Sequence, residues 1–376
     1  MDTKIYLSSP TMHGEEMKYI QEAFDTNWVA PLGSNVTSFE EEFSDYLGEG
    51  VHTAALSSGT GAIHLAMIIA GIKRDDIVFG SDLTFAATVN PISYLGARPV
   101  FIDSEEETWN MDPKALEKAF EKYPDAKAVI SANLYGTPAK LDEIVEICRS
   151  HGVLFIEDAA ESLGAKLHGR QTGLFGDIGI FSFNGNKIIT TSGGGMLVSA
   201  DAAKAKKATF LATQAREPAR YYEHKEIGFN YRMSNVVAGI GRGQLQHLDE
   251  HIARKKEIYR CYQEAFRDID AIRMNPYAAD SDPNFWLSCI TVDPKSSVRP
   301  VAIMEALDAA NIESRPIWKP MHMQPVYAGY DLIATREGVS VSEEIYENGM
   351  CLPSDIKNTP ADMDKIIKIV RGCFGK

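Results

Sequence analysis

Val153-Leu-Phe-Ile-Glu-Asp158-Ala-Ala-Glu161-Ser162 is followed along the chain by Ile178-Gly-Ile-Phe-Ser-Phe-Asn-Gly-Asn-Lys187-Ile-Ile-Thr-Thr-Ser-Gly-Gly-Gly195. Each stretch opens as a short apolar run and ends in small polar residues. Near-continuous apolar runs of this length suit strands buried on both faces, as in a parallel sheet covered by helices. Ligands of such sheets collect at the carboxyl ends of the strands. Asp158 falls at such an end, and Lys187 lies just beyond another. An amine and a carboxylate placed this way suit pyridoxal phosphate. The lysine can condense with the cofactor aldehyde, and the aspartate can hold the pyridine nitrogen protonated. A lone loop lysine is more often a solvated surface group, but other motifs in the chain ask for the same cofactor.

Working outward, strands are expected at 77–81, 99–102, 128–132, 153–157, 179–183 and 196–199. Helical patterns lie between the early ones, at 84–95 and 140–150. This alternation predicts an α/β fold with a mostly parallel sheet and helices on both faces. Residues 1–35 read as an arm with one helix near 14–24. After about residue 249 the texture changes: a charged helix at 251–266, strands at 285–292 and 312–315, and helices at 301–310 and 362–373. The expected division is 1–245, arm and large domain, and 246–376, a smaller α+β domain. No internal repeat or low-complexity tract interrupts it.

The 376 residues are 44% hydrophobic and 24% charged, which suits a globular chain with a large core. A net charge of −14 argues against nucleic-acid binding and requires local cations wherever an anionic substrate sits. The five cysteines are dispersed and odd in number, which fits a reducing compartment. With no signal-like apolar segment and no run long enough to span a bilayer, the expectation is a cytoplasmic protein without a membrane partner. The histidines read as scattered, without metal-ligand spacing, so no metal is expected.

Ser57-Ser58-Gly59-Thr60-Gly61-Ala62 enters a helical run at 63–70. The first N–H groups of a helix lack intrahelical acceptors, and its dipole favours an anion there, so this turn can cradle a phosphate; simple capping by Ser or Thr is the alternative. Phe85, in Thr84-Phe-Ala-Ala-Thr88, can stack on a flat ring or fill a core. Glu161 can face the cofactor or substrate, or be a first-turn acid favoured by a helix dipole. Gly228-Phe-Asn230-Tyr-Arg232-Met-Ser-Asn235 is a polar cluster before a small-residue helix at 236–244, which suggests a site or a subunit interface.

Together these motifs resemble the DegT/DnrJ/EryC1/StrS nucleotide-sugar aminotransferases, of the fold type I pyridoxal phosphate enzymes. The likeness runs through Ser58-Gly-Thr-Gly-Ala, Thr84-Phe, Leu134-Tyr-Gly, Ile156-Glu-Asp-Ala-Ala, Phe181-Ser-Phe-x-x-x-Lys187, Asn230-Tyr-Arg and Arg315-Pro-x-Trp318-x-Pro-Met-His322. The resemblance implies that Lys187 bonds the cofactor, Asp158 partners its ring nitrogen and Phe85 stacks on it. It also implies that Gly59, Thr60 and Ser182 hold the phosphate, joined by Asn230 from the other subunit of a homodimer. Two positions depart from many relatives: Glu161 stands for Gln, and Ser192-Gly-Gly-Gly195 for Gly-Glu-Gly-Gly. A narrower likeness, at 30–33, 183–195, 213–216 and 318–322, points to enzymes of bacillosamine-type pathways. These aminate C4 of a UDP-2-acetamido-2,6-dideoxy-4-keto-hexose with L-glutamate as donor.

Alternatives remain open at this stage. One is an aminotransferase for a dTDP- or GDP-linked sugar, or one acting at C3. Another is a non-catalytic cofactor-binding regulator, for which no DNA-binding module is visible. Arg232, Arg315 and Lys319 are the candidate cations for a substrate diphosphate, and His322 is a candidate hydrogen-bond donor to sugar or diphosphate.

Overall fold

The computed structural model describes residues 4–376. In its N-terminal two thirds the helices are α1 (Glu15–Asp25), α2 (Ser34–Leu47), α3 (Gly59–Ile69), α4 (Asn90–Tyr94), α5 (Pro113–Lys122), α6 (Leu141–His151), α7 (Ala202–Ala212), α8 (Asn235–Leu245) and α9 (Leu248–Phe266). The strands are β1 (His52–Leu56), β2 (Ile77–Ser81), β3 (Arg98–Ile102), β4 (Ala128–Ala132), β5 (Leu154–Asp158), the short β6 (Lys166–Leu167) and β7 (Arg170–Gln171), β8 (Ile178–Ser182) and β9 (Gly195–Ser199). The C-terminal part adds β10 (Ile272–Met274), β11 (Ser281–Asp282), β12 (Ser288–Val292), α10 (Pro300–Ala309), β13 (Arg315–Pro316), β14 (Leu332–Ile333), α11 (Val341–Asn348), β15 (Gly349–Leu352) and α12 (Pro360–Cys373).

Eight strands form the main sheet in the order β1-β9-β8-β5-β4-β2-β3-β14. Pairing is parallel from β8 through β14, and β9 runs antiparallel to both β8 and β1. Side chains alternate across a strand, so each strand feeds two cores. Ile156, Ile178 and Ile180 pack with Leu65 and Met67 of α3 and Leu211 of α7. On the other face, Phe155 and Val129 meet Leu116 and Phe120 of α5 and Ile144 of α6, while Phe181 and Val198 meet Phe39 and Phe43 of α2. The apolar runs of the sequence reflect this two-sided burial. The mostly parallel sheet with helices on both faces is the expected α/β architecture.

A second sheet, β10-β12-β15-β13, lies in the C-terminal part and packs with α9, α10 and α12. Two segments cross the expected boundary at 245/246. Ile5 bridges Ile312 and packs in the C-terminal core, and β14 extends the large sheet beside β3.

Some expectations are corrected. The helix at 84–95 is broken into a 3-10 turn, Ala86–Thr88, and α4, which has Pro91 in its first turn. Proline has no N–H to donate and disfavours helical backbone in the residue before it. The strand at 312–315 shrinks to the two residues of β13, Arg315 and Pro316, which pair with Cys351 and Met350 of β15. Edge strands β1 and β14 carry too little apolar pattern to stand out in the sequence. Among the described residues no helix is long and apolar enough to cross a membrane.

Candidate active site

Strands β1, β2, β4, β5 and β8 end on one edge of the sheet, and a cavity of about 280 Å³ opens there. Its wall holds Gly59, Thr60, Phe85, Asp158, Glu161, Ser182 and Lys187, so the structure gathers seven of the expected site residues in one place. The parallel register brings the strand ends together: Asp158 at the end of β5 aligns with Ala132 on one side and Ile180 on the other.

Asp158 is buried beneath the cavity. Thr88 Oγ1 donates to its Oδ2 at 2.7 Å, and the Ala160 N–H donates to its Oδ1 at 3.1 Å. Burial pushes the carboxyl upward from its ordinary pKa, and the Thr88 hydrogen bond opposes that shift. Lys187 Nζ stands 3.3 Å from Glu161 Oε1 and 3.9 Å from the centroid of the Trp286 ring, a cation–π distance. The Tyr135 N–H fixes the other Glu161 oxygen at 2.8 Å. No helix begins at Glu161, so the first-turn reading of this acid is corrected: it faces the pocket amine.

At the other end of the cavity lies the start of α3. Ser58 caps the helix by accepting from the Gly61 N–H at 3.0 Å, which leaves the Gly59 and Thr60 N–H groups without intrahelical acceptors. Capping and an anion-ready turn therefore coexist. A Cβ at Gly59 would stand 3.0 Å from the Ser182 Cβ, so the absence of a side chain lets the turn close on β8. After Lys187, Ser192 adopts φ +73°, in the left-handed region that favours glycine.

Phe85 is 53% exposed and presents its ring to the cavity. Trp318 lies 5.4 Å from it, centroid to centroid, and the Trp318 backbone N–H donates to the Tyr135 hydroxyl at 2.9 Å. Trp286 is held by an indole N–H bond to the Asn186 carbonyl at 2.7 Å and by Lys255, whose Nζ donates to the Trp286 carbonyl at 2.9 Å. Thr88 and Trp286 were not anticipated from sequence. The paired threonines of 84–88 were the available signal for the first. Trp286 has none beyond the scarcity of tryptophan.

The four substrate candidates lie outside this wall. Arg232 is buried against Glu40, with its second nitrogen 2.9 Å from Glu40 Oε2 and a further bond to the Ala55 carbonyl. His322 spans two acids, Nδ1 to Asp82 at 2.7 Å and Nε2 to Glu343 at 2.8 Å. Burial pulls its pKa down, but the bonds to Asp82 and Glu343 outweigh that and raise it to about 9. Arg315 is exposed and pairs with Glu313 at 2.6 Å. Lys319 follows Trp318 but does not line the cavity. Arg232, Arg315 and His322 are each paired with acids, and none of the four lines the cavity. Asn230 is exposed, bridged through its backbone to Thr213, and also outside the wall.

The histidines are less scattered than they read. His13 stacks on His247 at 3.8 Å, and its Nε2 lies 2.7 Å from His251 Nε2. His251 Nδ1 donates to the Ile188 carbonyl, next to Lys187. Even so, no group of three or more His, Cys, Asp or Glu among the described residues is arranged to hold a metal ion.

The donor set fits pyridoxal phosphate. A buried carboxylate suits the ring nitrogen, an amine the aldehyde, an open aromatic face the ring, and a helix start with a neighbouring serine the phosphate. Comparison with known proteins agrees. The family model described as the DegT/DnrJ/EryC1/StrS aminotransferase family matches residues 10–371. EpsN of Bacillus subtilis (strain 168), whose name assigns it as a pyridoxal phosphate-dependent aminotransferase, is 50% identical over all of this chain and 97% of its own length. GDP-perosamine synthase of Caulobacter vibrioides is 37% identical over 97% of this chain and 96% of its own. The solved aminotransferase TlmJ of Streptoalloteichus hindustanus superposes with a TM-score of 0.90 at 28% identity, covering 99% of each chain.

Proposed function

The chain belongs to the DegT/DnrJ/EryC1/StrS aminotransferase family and is a pyridoxal phosphate-dependent sugar aminotransferase; from that premise we propose that it moves the amino group of L-glutamate to C4 of a UDP-2-acetamido-2,6-dideoxy-4-keto-hexose. One observation carries the chemistry: the Lys187 amine, the buried Asp158 carboxylate and the α3 start share a single cavity. The substrate reading is supported by the narrower likeness at 183–195 and 315–322. A GDP-linked 4-keto sugar is the second reading, favoured by the 37% identity to GDP-perosamine synthase.

When bound, pyridoxal phosphate supplies an aldehyde that takes up the amino group and a ring that accepts the electrons left at the donor Cα. Lys187 carries the proton away from the glutamate Cα and returns one at the sugar C4 in the second half-reaction. Its side chain is 11% exposed, so little water competes for that proton. Glu161 receives the amine while it is unbonded. Asp158 holds positive charge at the ring nitrogen from a buried position, where a charge pair is stronger than in water. Gly59, Thr60 and Ser182 would hold the phosphate, and Phe85 would stack on the ring.

The working unit in this reading is a homodimer in which Asn230 reaches the phosphate in the partner's pocket. Support comes from its exposed position and from apolar surface such as Phe24, Leu32 and Ile227, exposed at 61%, 62% and 85%. Lys187→Ala and Asn230→Ala, each inactive alone, should on refolding together restore about a quarter of wild-type activity, because half of randomly paired dimers hold one intact site. No return of activity from demonstrated hybrids would remove Asn230 from this role.

Turnover of UDP-, dTDP- and GDP-linked 4-keto-6-deoxy sugars, with the products read by NMR, tests the substrate. Preference for the UDP-linked acetamido sugar is expected. Equal or faster turnover of a sugar lacking the acetamide overturns the assignment.

A further inference from the structure

The 3-10 turn after β2 does more than present Phe85. Thr84 and Thr88 are both buried, at 2% and 1% exposure, and their hydroxyl oxygens lie 2.7 Å apart. Thr88 Oγ1 is also 2.7 Å from Asp158 Oδ2. A hydroxyl has one proton to donate. With Asp158 ionised, the Thr88 proton belongs to the carboxylate, so Thr84 must donate to Thr88. The order Thr84 to Thr88 to Asp158 is therefore set by chemistry, and each bond in such a chain polarises the next.

We propose that Thr88, backed by Thr84, is the positioning residue that orients the Asp158 carboxylate toward the cofactor nitrogen. This rests on the pyridoxal phosphate reading of the pocket. Asp158 can rotate about its side-chain bonds. The Ala160 N–H holds one oxygen and Thr88 the other, so the pair locks the carboxylate plane. The other charges acting on Asp158 are Glu161, which disfavours its ionised form, and Lys187, which favours it. With burial already working against ionisation, Thr88 is the strongest side-chain support the carboxylate has. Threonine also suits the position sterically, since a branched Cβ restricts the side chain to few rotamers.

The test is Thr88→Val, which keeps the shape and removes the hydroxyl, measured beside Thr88→Ser. A charge-assisted hydrogen bond is lost, so the glutamate half-reaction should slow about 10- to 100-fold. The pyridoxal phosphate dissociation constant should rise, and the acid limb of the pH profile should move to higher pH. Thr88→Ser should recover most of each change. Adding Asp158→Asn to Thr88→Val should cost far less than Asp158→Asn costs alone, because the two act as one unit. A Thr88 that only supports the fold would lower the melting temperature, leave the pH limb in place and combine additively with Asp158→Asn; that pattern overturns the proposal. If Thr88→Val does not accumulate as folded protein, Thr84→Val carries the same pH and cofactor-binding measurements, with a smaller shift expected and an unmoved limb counting against the idea. Cofactor affinity and the pH dependence of the visible band of the bound cofactor need no sugar substrate. Failure of the substrate assignment and failure of this proposal are therefore separable.

Discussion

Lys187 and His322 are two basic groups beside carboxylates, one at the strand-end cavity and one in the segment after β13. Among the described residues Lys187 has a single acid contact, at 3.3 Å, and an aromatic face. His322 has both ring nitrogens in carboxylate bonds, at 2.7 and 2.8 Å. The first group is free to exchange partners, and the second is committed. A base is available for chemistry when the fold leaves it under-bonded in a cavity. When the fold saturates it, the same residue type becomes a brace between segments. Arg232, buried on Glu40, belongs with His322.

Lys187→Ala should break the cavity side of this comparison most severely. Removing the group that moves the proton should lower transamination by about 10³- to 10⁴-fold, the upper part of the range of general acid–base catalysis. The α3 start and Asp158 should still retain the cofactor. Single-turnover mixing with glutamate reads the rate, and near-wild-type activity would remove Lys187 from its role. Asp158→Asn should follow with a loss of about 10²- to 10³-fold, if a buried ion pair is lost mainly in the transition state. An unchanged rate would mean that another acid supports the ring.

His322→Gln sharpens the other side. It should lower stability by about 3 kcal/mol, the low end for removing one partner of a buried pair, and change kcat far less than Asp158→Asn. The pH sign follows from the raised folded pKa of about 9 against an unfolded value near 6.5. The stabilisation by His322 is complete below about pH 6.5 and is lost as pH rises through 9. Chemical denaturation of wild type and variant at pH 6 and pH 10 should show the gap closing at high pH; a gap that widens would refute the bridge. Arg315→Ala should have the smallest effect, within about 0.5 kcal/mol for an exposed pair, with kcat/KM within about twofold. A larger fall in kcat/KM would return Arg315 to the substrate site.

Much of the fold and site could be read before any contact was known. Asp158 and Lys187 stand out because apolar periodicity marks where β5 and β8 end, and parallel sheets put their ligands at those ends. The Ser58–Gly61 turn was legible because cap and glycine chemistry are local. Pro91 is an equally local signal: it has no N–H and disfavours helical backbone before it, which splits the helix expected at 84–95. The roles of the cations were not legible. Their charges suggest diphosphate contacts; Arg315 meets an acid two residues away, Glu313, but nothing local shows that Arg232 meets Glu40 or that His322 meets Asp82.

The sequence by itself determined the alternating elements, the two-faced strands, the helix start that can take an anion, and the amine and carboxylate at strand ends. All of these follow from side-chain spacing and backbone chemistry within about a dozen residues. Only the tertiary structure decided that Glu161 faces Lys187, that Trp286 lies beneath the amine and that Thr88 holds Asp158. It also decided that Arg232 and His322 are bound to acids 192 and 240 residues away in sequence. Such pairings depend on strand order and on how the C-terminal part closes over the sheet, and no local pattern encodes the distance between segments so far apart.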